Sequence, residues 1–279
     1  DSPDDEKAFY WLRLAAEQGH CEAQYSLGQK YTEDKSRHKD NGQAIFWLKK
    51  AALQGHTFAS NALGWTLDRG EDPNYKEAVA WYQIAAESGM SYAQNNLGWM
   101  YRNGNGVAQD YTLAFFWYKQ AALQGHSDAQ NNLADLYEDG KGVAQNETLA
   151  AFWYLKSAQQ GNRHAQFQIA WDYNAGEGVD QDYKQAMYWY LKAAAQGSVG
   201  AYVNIGYMYK HGQGVEKDYQ AAFEWFTKAA ECNDATAWYN LAIMYHYGEG
   251  RPVDLRQALD LYRKVQASGT RDVSQEIRE

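Results

Sequence analysis

Residues 91–126 read SYAQNNLGWMYRNGNGVAQDYTLAFFWYKQAALQGH, and two patterns within them recur along the whole chain. The later pattern, A-x-x-W-x-x-x-A-A-x-x-G, runs from Ala114 through Trp117, Ala121 and Ala122 to Gly125. Further copies begin at Ala8, Ala44, Ala78, Ala150, Ala186, Ala222 and Ala258, in steps of 36 residues with a single step of 34 between Ala44 and Ala78. The earlier pattern, A-x-x-x-L-G-x-x-Y, runs from Ala93 through Leu97 and Gly98 to Tyr101 and returns in the same register at Ala23, Ala59, Ala129, Ala165, Ala201 and Ala237. Self-similarity at this period marks stacked supersecondary units, each unable to bury its apolar stripe alone.

Both patterns space their small and apolar residues by three, four, seven or eight, which lays them on one side of an α-helix and fits no alternating strand. Each repeat is therefore two helices, one carrying Ala93, Leu97 and Tyr101, the other Ala114, Trp117, Ala121 and Ala122. The row Trp11, Trp47, Trp81, Trp117, Trp153, Trp189 and Trp225, with Leu261 in the last copy, is expected to fill the space between repeats as buried anchors. Four residues before each second-helix Ala stands an Asp or Asn: Asp4, Asp40, Asn74, Asp110, Asn146, Asp182, Asp218 and Asp254. These are N-caps, whose side-chain oxygen accepts an orphan amide at the helix start and is worth about 1 kcal/mol each. At the far end stand Gly19, Gly55, Gly89, Gly125, Gly161, Gly197 and Gly269, with Asn233 substituting once, the two residue types that tolerate a left-handed C-terminal turn.

The repeat of about 36 residues, with W-Y-x-x-A-A on the second helix and G-x-G-V in the inner loop, resembles the Sel-1-like repeat, a relative of the tetratricopeptide repeat. The loop reads Gly104, Gly106, Val107; then Gly140, Gly142, Val143; Gly176, Gly178, Val179; Gly212, Gly214, Val215; and, modified, Gly248, Gly250, Val253. The resemblance implies an all-α fold, a right-handed superhelical solenoid of antiparallel helix pairs. It would form a single array over 1–279, with an N-terminal half-repeat in 1–19, seven repeats in 20–269 and the start of a capping helix or truncated repeat in 270–279, where Val273 and Ile277 fall in register with Ala237 and Leu241. The N-terminal repeats depart from the pattern: Thr32 to Arg37 replace the loop glycines, and the next repeat is two residues shorter with Pro73 in its loop.

Charge and composition narrow the function. With 26 basic against 35 acidic residues the formal charge is −9, which repels phosphate backbones and argues against a nucleic-acid partner. No stretch approaches the roughly 20 apolar residues of a membrane span, and the mean hydropathy is −0.73. Cys21 and Cys232 are read as free thiols, with no disulfide framework. The chain starts at Asp1 without Met, which fits a removed signal peptide or a trimmed chain and leaves bacterial cytoplasm and an exported location both open.

The apparent chemistry reduces to structure. The G-x-G loops lack the Lys and Ser/Thr of a phosphate loop and the βαβ frame of a dinucleotide loop, so their glycines make inter-helix turns. His20, His56 and His126 recur once per repeat, too far apart to share a metal, and no cofactor or metal is expected. Asp135, Glu138 and Asp139 cluster without a nucleophile or oxyanion donors, so no catalytic residue is assigned and the chain is read as a non-enzyme. Cysteine-rich relatives associated with β-lactam hydrolysis carry a Cys pair in every repeat, which this sequence lacks.

Binding is the better reading. Seven of the 11 Trp take the second-helix position, while Trp65, Trp99 and Trp171 share another, two residues after the Leu of A-x-x-x-L-G, where Asp135 and Tyr207 also fall. By resemblance to tetratricopeptide repeats that position faces a concave groove; the alternative is that these Trp pack between adjacent first helices. Four residues earlier, on the same face, stand Asn61, Asn95 and Asn131, whose amides could read an extended peptide backbone while the indoles cover its side chains. Arg102, Asp135 and Glu138 set the polarity of the groove, favouring a partner with basic residues opposite the carboxylates. The function expected is a monomeric scaffold gripping a partner protein or peptide, as the resemblance to bacterial interaction scaffolds also implies, with a glycan or muropeptide in the same groove as the rival.

Overall fold

A computed structural model describes residues 3–277 apart from 34–37 and 71, with backbone alone for 3–5. Of the irregular segment Thr32 to Arg37, residues 34–37 thus lie outside the described residues. Among the described residues all regular structure is helical, and within each of the chain's two bodies consecutive helices pack against each other. The chain forms two compact bodies, residues 1–145 and 146–279. The N-terminal body holds α1 (Pro3–Glu17), α2 (Cys21–Thr32), α3 (Asn41–Leu53), α4 (Thr57–Asp68), α5 (Tyr75–Glu87), α6 (Ser91–Asn103), α7 (Tyr111–Leu123) and α8 (Ser127–Asp139). The C-terminal body holds α9 (Glu147–Gln159), α10 (Arg163–Ala175), α11 (Tyr183–Ala195), α12 (Val199–His211), α13 (Tyr219–Glu231), α14 (Ala235–Tyr247) and α15 (Leu255–Ser268). Each body is a solenoid of helix pairs.

Caps fix the helix boundaries. Asp40, Asn74, Asp110, Asn146, Asp182, Asp218 and Asp254 each accept a backbone N–H from the first turn of the helix they precede. Asp4 is a correction: α1 is already under way at Pro3, so Asp4 falls inside the first turn, and its side chain lies outside the described residues. First helices are capped by a mixed set, with His56 and His126 accepting through Nδ1 and Asn162 and Asp234 through Oδ1. The histidines are structural acceptors. Outer turns close through a positive-φ residue, Asn233 at φ 62 included.

The two loop glycines do different work. The first, as Gly104 at φ 72, ends the helix in the left-handed region. The second, as Gly106, lies against the carbonyl of Tyr75 at the start of the preceding second helix, where any Cβ would collide with main chain. Gly142 meets Tyr111 in the same way, and Gly178 meets Glu147. The loop is thus a contact between repeats as well as a turn.

Core packing corrects one expectation. From α5 onward the buried aromatic of each second helix is the residue after the anchor position: Tyr82, Tyr118, Tyr154, Tyr190 and Phe226 after Trp, and Tyr262 after Leu261, with Leu48 in α3. Gly64, Gly98, Gly206 and Gly28 provide the seats, since a Cβ there would stand 2.6–2.8 Å from Tyr82, Tyr118, Phe226 and Leu48 respectively. Trp47 and Trp189 are buried, but Trp81, Trp117, Trp153 and Trp225 are half-buried, and Trp11 is 66% exposed. An indole is too large for the seat beneath a glycine, so it takes the shoulder between neighbouring repeats; Trp47 lies there with Leu12, Ala16, Ala23 and Leu27.

Buried glutamines add a polar tie. Gln94 donates to the Ala86 carbonyl at 3.1 Å and accepts from Gln124 at 2.8 Å, joining two outer turns. Gln24 with Gln54, and Gln166 with Gln196, repeat the arrangement. At the C-terminal end Val273 is fully buried and Ile277 packs on the same cluster, in a turn following α15.

Candidate functional site

In the N-terminal body Trp65 and Trp99 are 45% and 43% exposed, far outside the core. Asn61 and Asn95, one turn earlier on α4 and α6, are half-buried, and each is held by the following repeat. Asn96 Nδ2 donates to Asn61 Oδ1 at 3.2 Å, and Asn132 Nδ2 donates to Asn95 Oδ1 at 3.0 Å. The acceptor side of each amide is therefore occupied. Asn131 is only 8% exposed, with its Oδ1 buried and without a hydrogen bond.

Asn61 and Trp65 line a cavity of about 240 Å³ together with Tyr25 and Gln29 of α2, Phe58 and Ala62 of α4, and Met90. Aromatic, thioether and aliphatic groups make its walls, and its polar groups are the amides of Gln29 and Asn61 with the hydroxyl-bearing Tyr25, Thr32 and Thr66. Phe58 and Met90 escaped sequence reasoning because they lie at the start of the first helix, outside the repeated apolar stripe.

The charges are more self-contained than their sequence suggests. Arg102 Nη1 donates to Asp135 Oδ2 at 3.0 Å, so that carboxylate already has a guanidinium. Asp139 pairs with Lys141 at 2.8 Å, and Glu138 is half-buried on α8. Asp68, at the end of α4, accepts the Tyr82 hydroxyl at 2.8 Å. Burial holds the Asp68 carboxyl above the usual carboxylate range, against the opposing pull of Tyr82 and Arg69. Arg69 itself rests over the Trp65 ring, with Cζ 5.3 Å from the centroid.

In the C-terminal body Trp171 is 43% exposed. Tyr207 is tied into the packing instead: its hydroxyl accepts from Asn240 Nδ2 at 2.9 Å and its ring meets Phe226 edge-on at 5.5 Å. Phe167 and Val203 take the places that Asn holds in the other body, Phe167 lying against Tyr190.

Among the described residues no three His, Cys, Asp or Glu side chains gather as a metal site. Cys21 and Cys232 are free thiols, Cys21 donating to the Ala51 carbonyl at 3.6 Å. No described helix is long and apolar enough to cross a membrane.

Comparison with known proteins follows the same repeat. The family described as Sel1 repeat matches residues 2–20, 21–56, 57–90, 91–126, 127–162, 163–198, 199–234 and 235–264. Over 110 residues the chain is 97% identical to the Sel1-repeat-containing protein YbeQ of Escherichia coli K12, a stretch covering 39% of this chain and 34% of that protein. The crystal structure of c5321, a protective antigen of uropathogenic E. coli displaying an SLR fold, superimposes with a TM-score of 0.87 at 35% identity, covering 94% of this chain and 56% of that one. A Sel1 repeat protein from Oxalobacter formigenes gives a TM-score of 0.72 at 32% identity, covering 78% of this chain and 88% of that one.

Proposed function

The chain belongs to the Sel1 repeat family, whose members generally act as protein-interaction scaffolds, and from that premise we propose that it is a non-enzymatic adaptor gripping an extended segment of a partner polypeptide on its first-helix face. The observation that carries this reading is the fixed orientation of Asn61 and Asn95. Each has its carbonyl oxygen held by the next repeat, which leaves Nδ2 as a pre-oriented donor beside an exposed indole. A row of donors suits the carbonyl oxygens of an extended main chain, and the Trp65 and Trp99 rings cover whatever side chains come with it. Donors oriented before binding lose little freedom on engagement, which favours affinity.

In the C-terminal body Trp171 offers an aromatic contact of its own, whereas Tyr207 serves less, because its hydroxyl is already engaged. The test is calorimetry against an extended-peptide library and an oligosaccharide library. Heat with peptides, lost about tenfold or more in an Asn95→Ala, Trp99→Ala double variant of unchanged melting temperature, supports the proposal. Heat with sugars alone would overturn it in favour of glycan recognition.

A further inference from the structure

Asp68 carries a buried charge with incomplete hydrogen bonding. Its side chain is 9% exposed, Oδ2 accepts from Tyr82, and Oδ1 is closed off from solvent without any hydrogen bond. The adjacent cation, Arg69 at the C-cap of α4, makes a loose ion pair but no hydrogen bond, its Nε staying 3.7 Å from Oδ1. The Arg69 guanidinium lies over Trp65 instead, with 66% of the side chain in solvent. The next repeat shows what a completed carboxylate looks like on these helices, since Arg102 reaches across from α6 to Asp135 of α8 at 3.0 Å.

The geometry points to Trp65 and Asp68, covered by Arg69, as a subsite for an arginine side chain carried by the partner segment. Trp65 and Asp68 stand at i and i+3, on one side of α4. A guanidinium arriving from outside the helix can donate to Asp68 Oδ1 while its plane stacks on the indole, two contacts that Arg69 makes only at 3.7 Å and 5.3 Å. Arg69 is the movable cover and swings into solvent as the ligand enters. The subsite rests on the reading that this face receives a polypeptide, and it adds a side-chain preference to main-chain capture.

The test follows the Trp indole N–H resonances by NMR, with N-acetyl-argininamide as probe and the lysine and glutamine analogues as comparators; Trp65→Phe assigns the signal. The Trp65 signal should shift saturably with the arginine compound, about threefold more weakly with lysine, which lacks the planar fork, and not with glutamine. Asp68→Asn keeps an acceptor for the Tyr82 hydroxyl but removes the charge, and should weaken the arginine response about tenfold. Arg69→Ala, at an exposed position that leaves folding alone, should strengthen it about threefold by removing the competitor. A response indifferent to Asp68→Asn or to Arg69→Ala, or equal for glutamine, overturns the subsite. Peptide heat that depends on Asn95 and Trp99 without any arginine response would overturn the subsite and spare the adaptor reading; an arginine response without peptide heat would do the reverse.

Discussion

Tyr82 and Tyr190 occupy the same place in their repeats and are equally buried, yet removing the hydroxyl should shift stability in opposite directions. The Tyr82 hydroxyl donates to the Asp68 carboxylate at 2.8 Å. A hydrogen bond to a charged group contributes about 1.5–3 kcal/mol, and Tyr82→Phe also leaves Asp68 Oδ2 without its donor, so a loss of about 2 kcal/mol is expected at neutral pH. The Tyr190 hydroxyl is buried without a hydrogen bond, and burial with the nearby Asp172 charge keeps it un-ionised. Tyr190→Phe keeps the ring and removes an unmatched polar group, for a change between zero and a gain of about 1 kcal/mol. Urea titrations with a constant m-value measure both, and heating should show Tyr82→Phe melting about 4–8 °C lower. The pH dependence has a definite sign. Asp68 is raised in the folded state, so its contribution is present below the ordinary carboxylate range and is lost as pH rises through the raised value. Tyr82→Phe raises it further, so the deficit should narrow on acidification. Equal losses for the two variants, or a gain for Tyr82→Phe, would refute the reasoning.

Two other expectations follow from the turns. His126 Nδ1 accepts from the Ala129 amide, and burial holds the imidazole below its usual range. That stabilisation is present above the unfolded value of about 6.5 and is lost as pH falls through it toward the depressed folded value. His126→Asn should keep the cap and flatten the stability profile between about pH 5 and 7, read by urea titration at each pH. Ala at Gly125, φ +87 with open space around it, should cost about 1–2 kcal/mol, whereas Ala at Gly142, which meets the Tyr111 carbonyl, should cost about 2–5 kcal/mol, compared by their urea midpoints.

Most of the architecture was legible because it is periodic. Helix pairs, Asp and Asn caps, and positive-φ outer turns are each written in one or two residues at a fixed offset, and local rules decide them. What a single helix pattern cannot show is which of two adjacent aromatics points inward. In W-Y the bulkier Trp suggested the core, but the ring facing Gly98 is Tyr118, and that choice is set by the seat on the partner helix. In the sequence the second loop glycine looks like turn chemistry alone, because its other reason, the Tyr75 carbonyl of the preceding repeat, lies about 30 residues away. The candidate face is visible in the sequence as recurring Trp and Asn, but the state of its polar groups is not. That Asn96 holds Asn61, and that Arg102 already neutralises Asp135, are pairings across repeats that no intra-helix spacing reveals.

The doubled role of the loop glycine bears on how such a chain could grow or shrink. At Gly106, Gly142 and Gly178 the junction consists of backbone and glycine alone, alike from one repeat to the next whichever residue opens the preceding second helix. A 36-residue cassette such as 91–126 therefore carries the same male and female ends and could be duplicated without new fitting. The repeats near the N-terminus, where the glycine pair gives way to Thr32 and, later, Pro73, have lost that standard coupling. They are non-interchangeable parts among exchangeable neighbours, and they adjoin the cavity lined by Tyr25, Asn61 and Trp65.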